Sequence, residues 1–114
     1  MLQIFDAHAA IFKSWRVLTY EQEGDAYMLI ISARLQDDSQ LELRDYLFAG
    51  GTRKYRYHWI EPDGALRRRW DNAPHWPEMG TFPHHIHDGE GIKPSAEPSF
   101  AEILKKIGEN YKNE

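Results

Sequence analysis

The chain has 114 residues, of which 41% are hydrophobic and 28% are charged, and this globular composition excludes a fibrous or low-complexity protein. It contains no cysteine, which excludes a disulfide framework, a thiolate metal site and a cysteine nucleophile. The formal charge of −4 argues against a uniformly basic nucleic-acid binder. Without a long apolar run or a leader pattern we expect one soluble, unexported domain over residues 1–114 that makes no membrane contact.

The first part of the chain predicts a short helix followed by three strands. Apolar residues at loosely helical spacing favour the helix within residues 2–12. Residues 15–20 are β-branched or aromatic, residues 24–25 are turn formers, and residues 27–35 form an apolar run, which together indicate a β-hairpin. Residues 41–48 alternate with the period of a strand, so a third strand follows the hairpin.

A second hairpin is predicted around the turn Glu61-Pro62-Asp63-Gly64, between strands at residues 54–60 and 66–70. Two registers are open. A three-residue loop places Arg67 opposite Trp59, with the other pairs being Tyr57 with Arg69, His58 with Arg68 and Arg56 with Trp70. A shift of one residue instead sorts the faces, with Tyr55, Tyr57, Trp59, Leu66 and Trp70 on one and Arg56, Arg67 and Arg69 on the other.

The last part of the chain predicts a loop, a short strand and a helix. Three prolines make residues 72–83 a loop, and a further strand begins at about His84. Ser99 and Glu102 have the spacing of a capping box, and an apolar stripe follows at Phe100, Ile103, Leu104, Ile107 and Tyr111. The predicted fold is α+β: an antiparallel β-meander of about five to six strands, a C-terminal α-helix packed on one face and a short N-terminal helix.

Positive charge is concentrated in the second hairpin. Six cations stand against only Glu61 and Asp63, a local charge of +4, and they are Arg53, Lys54, Arg56, Arg67, Arg68 and Arg69. Arginines that alternate with aromatic residues can hold phosphates while bases stack on the rings. A solvated basic face explains the same pattern without a ligand.

Histidines are concentrated just after the loop. His84, His85 and His87, together with His75, place four of the six histidines within 13 positions. In an extended segment His85 and His87 share one face and His84 points to the other. Two imidazoles on one face could divide general-acid and general-base work, and RNA cleavage at a 2′-hydroxyl needs those two roles plus a cation.

Two other interpretations of the histidines stay open. They could be structural, or they could bind a metal with His75, Asp71 or Asp88 as a third ligand, although the spacing matches no established ligand motif. Asp71 itself could orient a histidine or cap the loop through an Asx turn with Asn72 and Ala73.

Four segments carry a resemblance to a known family. They are Tyr55-Arg56-Tyr57-His58-Trp59, Arg69-Trp70-Asp71-Asn72-Ala73-Pro74-His75, Thr81-Phe82-Pro83-His84-His85-Ile86-His87 and Pro94-Ser95. In this order and spacing they resemble the TumE-like toxins of toxin–antitoxin pairs, over roughly residues 41–107. The resemblance implies a small cytoplasmic toxin whose partner is a cognate antitoxin protein with a DNA-binding module.

The positions that match the family's motifs are Tyr57, His58, Arg69, Asp71, His75, His84, His85 and His87. Ile86 departs from the pattern, where a variable and often basic residue is expected, and this lowers the charge of the segment. With the basic hairpin, the resemblance suggests that the toxin acts on RNA as a metal-independent ribonuclease without a cofactor.

The sequence therefore nominates two sets of residues. The candidate catalytic residues are His84, His85, His87 and Asp71, with His85 and His87 as the acid–base pair. The candidate substrate-binding residues are Arg56, Tyr57, His58, Arg67, Arg69 and His75. The alternatives are a non-catalytic growth-inhibiting binding protein and a small metal-dependent hydrolase that uses His75, His85 and His87, and the 13% aromatic content is compatible with a homodimer.

Overall fold

The computed structural model describes residues 8–74, 80 and 82–112, with side chains up to residue 109. A 3₁₀ turn, Ala9–Ile11, leads into seven strands and one helix. The strands are β1 (Phe12–Glu23), β2 (Ala26–Leu35), β3 (Gln40–Leu47), β4 (Arg53–Ile60), β5 (Leu66–Asp71), β6 (His85–Asp88) and β7 (Gly91–Pro94), and the helix is α1 (Phe100–Lys112). No helix among these residues is long and apolar enough to cross a bilayer.

The strands form one antiparallel sheet in which each strand pairs with its neighbours in the chain, from β1 to β7. The α+β class and the meander agree with the sequence-based prediction, but the strand count is seven rather than five to six. The strand that the sequence did not predict is β7, whose four residues are all exposed and include Pro94, so it has no alternation to signal it. Of the N-terminal helix, the described residues contain only the 3₁₀ turn.

One face of the sheet is the hydrophobic core, and α1 covers it. Ser99 caps the helix, since its Oγ accepts from the amide of Glu102 at 3.1 Å. The apolar stripe predicted for the helix is buried at Phe100, Ile103, Leu104 and Ile107, whereas the side chain of Tyr111 lies outside the described residues. The sheet meets this stripe with Leu29, Ile31, Leu41, Leu43, Tyr57, Trp59 and Trp70, each at most 5% exposed.

A buried ion pair ties this face to the segment before the helix. The carboxylate of Asp45, 2% exposed, accepts from Arg53 Nε at 3.1 Å and from Nη2 at 2.9 Å. It also accepts from the hydroxyls of Tyr27 and Tyr57. The same guanidinium donates to Glu97 and to the carbonyl of Pro98, so it fixes where α1 begins relative to the sheet.

A bulge decides the register of β4 and β5. The turn has the predicted three-residue loop, since the amide of Glu61 donates to the carbonyl of Ala65 at 2.8 Å. Ile60 pairs with Leu66 but Trp59 pairs with Arg68, so Arg67 is an extra residue. Beyond the bulge the register that sorts the faces holds, with Tyr57 opposite Trp70, His58 opposite Arg69 and Arg56 opposite Asp71.

Two residues near the turn do not follow that sorted register. Leu66 lies on the side of its partner Ile60, away from the core. Arg67 lies on the core side, with its guanidinium 4.6 Å from the centre of the Trp59 ring and within 2.8 Å of carboxylate oxygens of Glu61 and Asp37. The sorted register was therefore wrong for these two positions, because Arg67 is itself the extra residue and the sorted pairing begins only with Arg68.

A deletion and an insertion in β5 test how the bulge sets the register. Deleting Arg67 leaves Leu66 opposite Ile60 and Arg68 opposite Trp59, so we expect Trp70 to stay in the core and the loss to be about 1 kcal/mol, from the contacts of Arg67 alone. Inserting one alanine between Arg68 and Arg69 turns Trp70 out of the core and Asp71 into it, which costs at least about 3 kcal/mol of the free energy of unfolding. Urea unfolding of the two variants measures the difference, and equal losses would show that the count of residues in β5 does not set the register.

Candidate active site

The face of the sheet away from α1, here called the polar face, carries the charged and imidazole side chains of β3 to β6. Alternation along each strand places them there, while their neighbours enter the core. His58, Arg69 and His87 form one row across β4, β5 and β6, since Arg69 pairs with both histidines. Arg56, Asp71 and His85 form the adjacent row in the same way.

Asp71 is the centre of this arrangement. Its carboxylate is 4% exposed; Oδ1 lies 2.6 Å from His85 Nε2, and Oδ2 lies 3.6 Å from His87 Nε2. Arg69 Nε donates to Oδ2 at 3.1 Å. The amide of Ala73 donates to Oδ1 at 3.1 Å, so Asp71 caps the loop as well as facing the histidines. The two sequence-based interpretations of Asp71 are thus compatible.

His85 has a defined protonation on one side. Its Nδ1 lies 2.9 Å from the carbonyl oxygen of Pro83, which can only accept, so Nδ1 carries a proton. Nε2 faces Asp71, with Oδ1 of that carboxylate at 2.6 Å. His85 is 2% exposed, so it is enclosed behind Asp71.

The two histidines that flank Arg69, His58 and His87, both have a lowered pKa. Burial lowers the pKa of His58 below its ordinary value of 6.5, and Arg69 and Arg56 lower it further. Burial and then Arg69 lower the pKa of His87 in the same direction, against an opposing effect of Asp71. Both imidazoles are therefore mostly neutral at pH 7 in the free protein.

A scan against protein families and searches for relatives place these residues in context. The model of the family described as Toxin TumE matches residues 1–111. The chain belongs to the TumE toxin family. The family resemblance seen in the sequence is thereby confirmed, and it extends over nearly the whole chain. No curated protein and no solved structure matches. Membership in a toxin family implies an antitoxin partner.

The fold of this TumE family member does not bring every nominated residue to the polar face. Tyr57 is fully buried in the core, where its hydroxyl donates to Asp45. His84 lies on the core side, as alternation predicts, with Nδ1 2.8 Å from the hydroxyl of Tyr55 and the two rings stacked. Arg67 is paired at the turn. His75 lies outside the described residues.

Two residues that the sequence did not nominate lie on the polar face. Arg44 pairs with Arg56 across β3 and β4, and Lys54 pairs with Tyr46. Both cations are exposed. The alternation of residues 41–48 placed Arg44 on one face of a strand, but only the pairing of β3 with β4 shows that this face continues into the histidine rows.

A metal ion could be held by three side chains of this site. Asp71, His85 and His87 each offer a ligand atom, and these atoms lie within 4.8 Å of one another. Two imidazoles and one carboxylate form a donor set that divalent transition metals accept. The hydrogen bond from His85 Nδ1 to the Pro83 carbonyl is the kind of outer contact that orients a ligating imidazole.

The lowered pKa values predict how His58 and His87 titrate. We expect both imidazoles to titrate below pH 6.5 in NMR spectra of the folded protein, because burial and Arg69 disfavour their charged forms. Below pH 6.5 the unfolded chain then binds more protons than the folded one, so stability falls as the pH drops from 6.5 through the folded pKa values.

The control compares two single substitutions. His58→Gln removes one imidazole with a lowered pKa, so the free energy of unfolding should fall less steeply as the pH drops. Unfolding curves at several pH values measure this slope. Ser14→Ala, at an exposed position of β1, removes no titratable group and should leave the slope as it is. A pKa at or above 6.5 for both His58 and His87 would contradict the electrostatic description of the site.

Proposed function

We propose that this toxin cleaves RNA by metal-independent histidine acid–base catalysis on its polar face. The observation that carries the proposal is the row in which Arg69 lies between His58 and His87. Adjacent strands are about 4.8 Å apart, so the two imidazoles begin about 10 Å apart and can reach opposite sides of a phosphate bound at Arg69. Cleavage at a 2′-hydroxyl needs two proton-transfer groups and a cation in such positions.

The proposed reaction uses the residues as follows. Neutral His87 takes the proton of the 2′-hydroxyl, and the oxygen attacks the adjacent phosphorus. The bond from phosphorus to the 5′-oxygen breaks, and that oxygen receives a proton from His58. A bound phosphate raises the proton affinity of a neighbouring imidazole, so His58 can carry this proton in the complex. Arg69 and Arg56 neutralise the charge that develops on the phosphoryl oxygens.

Asp71 and His85 are positioning residues in this proposal. His85 was expected from the sequence to be half of the acid–base pair, but it is buried and both of its ring nitrogens face oxygen atoms. Its ring lies 4.8 Å from that of His87, on the same side of Arg69. We therefore propose that His85 fixes Asp71, and that Asp71 orients the imidazole of His87.

The proposal includes the partners and setting of the toxin. The antitoxin carries a DNA-binding module, and the toxin acts on RNA in the cytoplasm. These features are typical of small toxins encoded beside their antitoxins. A homodimer stays a prediction from composition, and size-exclusion chromatography with light scattering measures it directly.

Expression without antitoxin tests the function. We expect wild type and His8→Ala to arrest growth and fragment RNA, and His58→Ala and His87→Ala to lose both effects. In purified protein each loss should be about 10²- to 10⁴-fold in kcat/KM, the usual effect of removing a general acid or base. If wild type and all three variants arrested growth and left the RNA intact, the result would instead favour a non-catalytic binding toxin.

A second candidate function, a metal-dependent hydrolase, is favoured by the ligand geometry of Asp71, His85 and His87. The same purified assay separates the two mechanisms. Acid–base cleavage is unchanged by EDTA, and a metal enzyme is inactivated by it and restored by a divalent ion.

The pH profile tests whether Asp71 acts through His87. Asp71 raises the pKa of His87 and Arg69 lowers it, so Asp71→Asn should move the acid limb of kcat/KM to lower pH and Arg69→Gln to higher pH. A purely structural role for Asp71 would lower the rate at every pH without moving the limb. Unfolding curves of both variants show whether any change comes from lost folding.

A further inference from the structure

A groove beside the candidate active site is lined in part by residues that the proposed reaction does not use. It encloses about 370 Å³ on the polar face between β3, β4 and the start of the loop after β5. Its lining includes Arg44, Tyr46, Lys54, Arg56, Asp71 and Asn72. Because Asp71 also contacts the two histidines of β6, the groove opens directly onto the candidate active site.

The groove is lined by cations that make no ion pair within the described residues. Within the described residues Arg44, Lys54 and Arg56 make no ion pair, whereas Arg53 and Arg67 are each bonded to two carboxylates. Asp71, the acid in the lining, is already engaged by Arg69. Three uncompensated cations in one concave site attract an anion, although the whole chain has a formal charge of −4.

The fold keeps these cations apart from the core and close to one another. Arg44 lies opposite Arg56, which lies opposite Asp71, so one row runs from the groove into the site. Asn72 fixes the loop after β5 against β4 at one side of the groove. Its side chain accepts from the amide of Tyr55 at 3.0 Å and donates to the carbonyl of Arg53 at 2.7 Å. Like charges on neighbouring strands destabilise a sheet, and a bound anion removes that cost.

We propose that Arg44, Lys54 and Tyr46 form a subsite for the nucleotide next to the cleaved bond of a single-stranded RNA. This inference rests on the proposed function. The two cations bind the neighbouring phosphate, and Tyr46 offers a ring on which its base stacks. Arg44 is two strand spacings, about 10 Å, from Asp71, a span that an adjacent nucleotide of an extended strand can cover. The toxin therefore prefers oligonucleotides over a dinucleotide.

The charge of the groove alone also suits an acidic segment of a protein partner. The observation that favours RNA is continuity, because Arg56 and Asp71 belong both to the groove and to the row that enters the candidate active site. A polymer with evenly spaced phosphates would contact both sites at once, and an acidic peptide has no group for the histidines to act on.

The experiment measures binding and cleavage in the full chain. A fully 2′-O-methylated single-stranded RNA, which cannot be cleaved, reports the Kd of wild type, Arg44→Gln and Lys54→Gln. We expect each variant to bind about tenfold more weakly and to reduce the slope of log Kd against log salt by about one. On cleavable RNA the loss should lie in KM more than in kcat, and it should shrink when the substrate is a dinucleotide.

Matched variants control for charge and folding. Lys105→Gln removes an exposed lysine from α1, on the far side of the sheet, and should bind as wild type does. Arg44→Lys keeps the charge and should retain most of the affinity, which separates a phosphate contact from a folding defect. Thermal unfolding of each protein completes the comparison.

The outcomes distinguish this subsite from the function on which it rests. RNA binding and cleavage equal to Lys105→Gln in both groove variants would overturn the subsite and leave the proposed ribonuclease standing. A wild type that neither binds nor cleaves RNA overturns both. Loss of antitoxin binding in Arg44→Gln and Lys54→Gln, with RNA binding unchanged, overturns the subsite in favour of a protein partner.

Discussion

The candidate site depends on one extra residue in β5. Side chains alternate across a strand, so a shift of one position exchanges the two faces of everything that follows. Because Arg67 is inserted opposite Trp59, the rest of β5 places Trp70 in the core and Arg69 and Asp71 on the polar face. β6 pairs with β5 in turn, and its two histidines then meet Asp71. If the same residues paired without a bulge, the charged groups would face α1 and the aromatic ring would face water.

The two faces of the sheet differ in their buried charged groups. On the core face, burial of aromatic and aliphatic side chains supplies the stabilising free energy, and the Asp45–Arg53 pair with its tyrosine hydroxyls satisfies the charges enclosed there. On the polar face, Asp71 is almost as buried but has two histidines and an arginine around it. The first cluster is closed by its own hydrogen bonds. The second adjoins a groove, and burial lowers the pKa of His87 there and of His58 at the other end of its row, which is the pattern expected of a functional site.

The net charge does not show which cations are paired with carboxylates and which are available to a ligand. Arg53 and Arg67 are fixed by carboxylates, and each of these contributes to the position of an element: the start of α1 and the β4–β5 turn. Arg69 donates to Asp71 and lies between His58 and His87. Arg44, Lys54 and Arg56 are left with no ion pair in the described part of the chain, and they are the ones on the groove. Position within the sheet, rather than the number of arginines in the hairpin, separates structural cations from those available to a ligand.

Local periodicity, turn chemistry and motif spacing were enough to predict several features from the residues alone. These are the meander, the Ser99 cap and the buried stripe of α1, the turn at Glu61–Gly64, the opposite faces of His84 and His85, and membership of the toxin family. The sequence could not decide the register of β5, since the turn and the sorting of faces favoured different pairings and only burial against α1 selects between them. The core position of Tyr57 and the row His58–Arg69–His87 follow from that pairing, and the groove at Arg44 and Lys54 follows from the separate pairing of β3 with β4. They join residues that are distant in the chain, and only the tertiary structure brings those residues together.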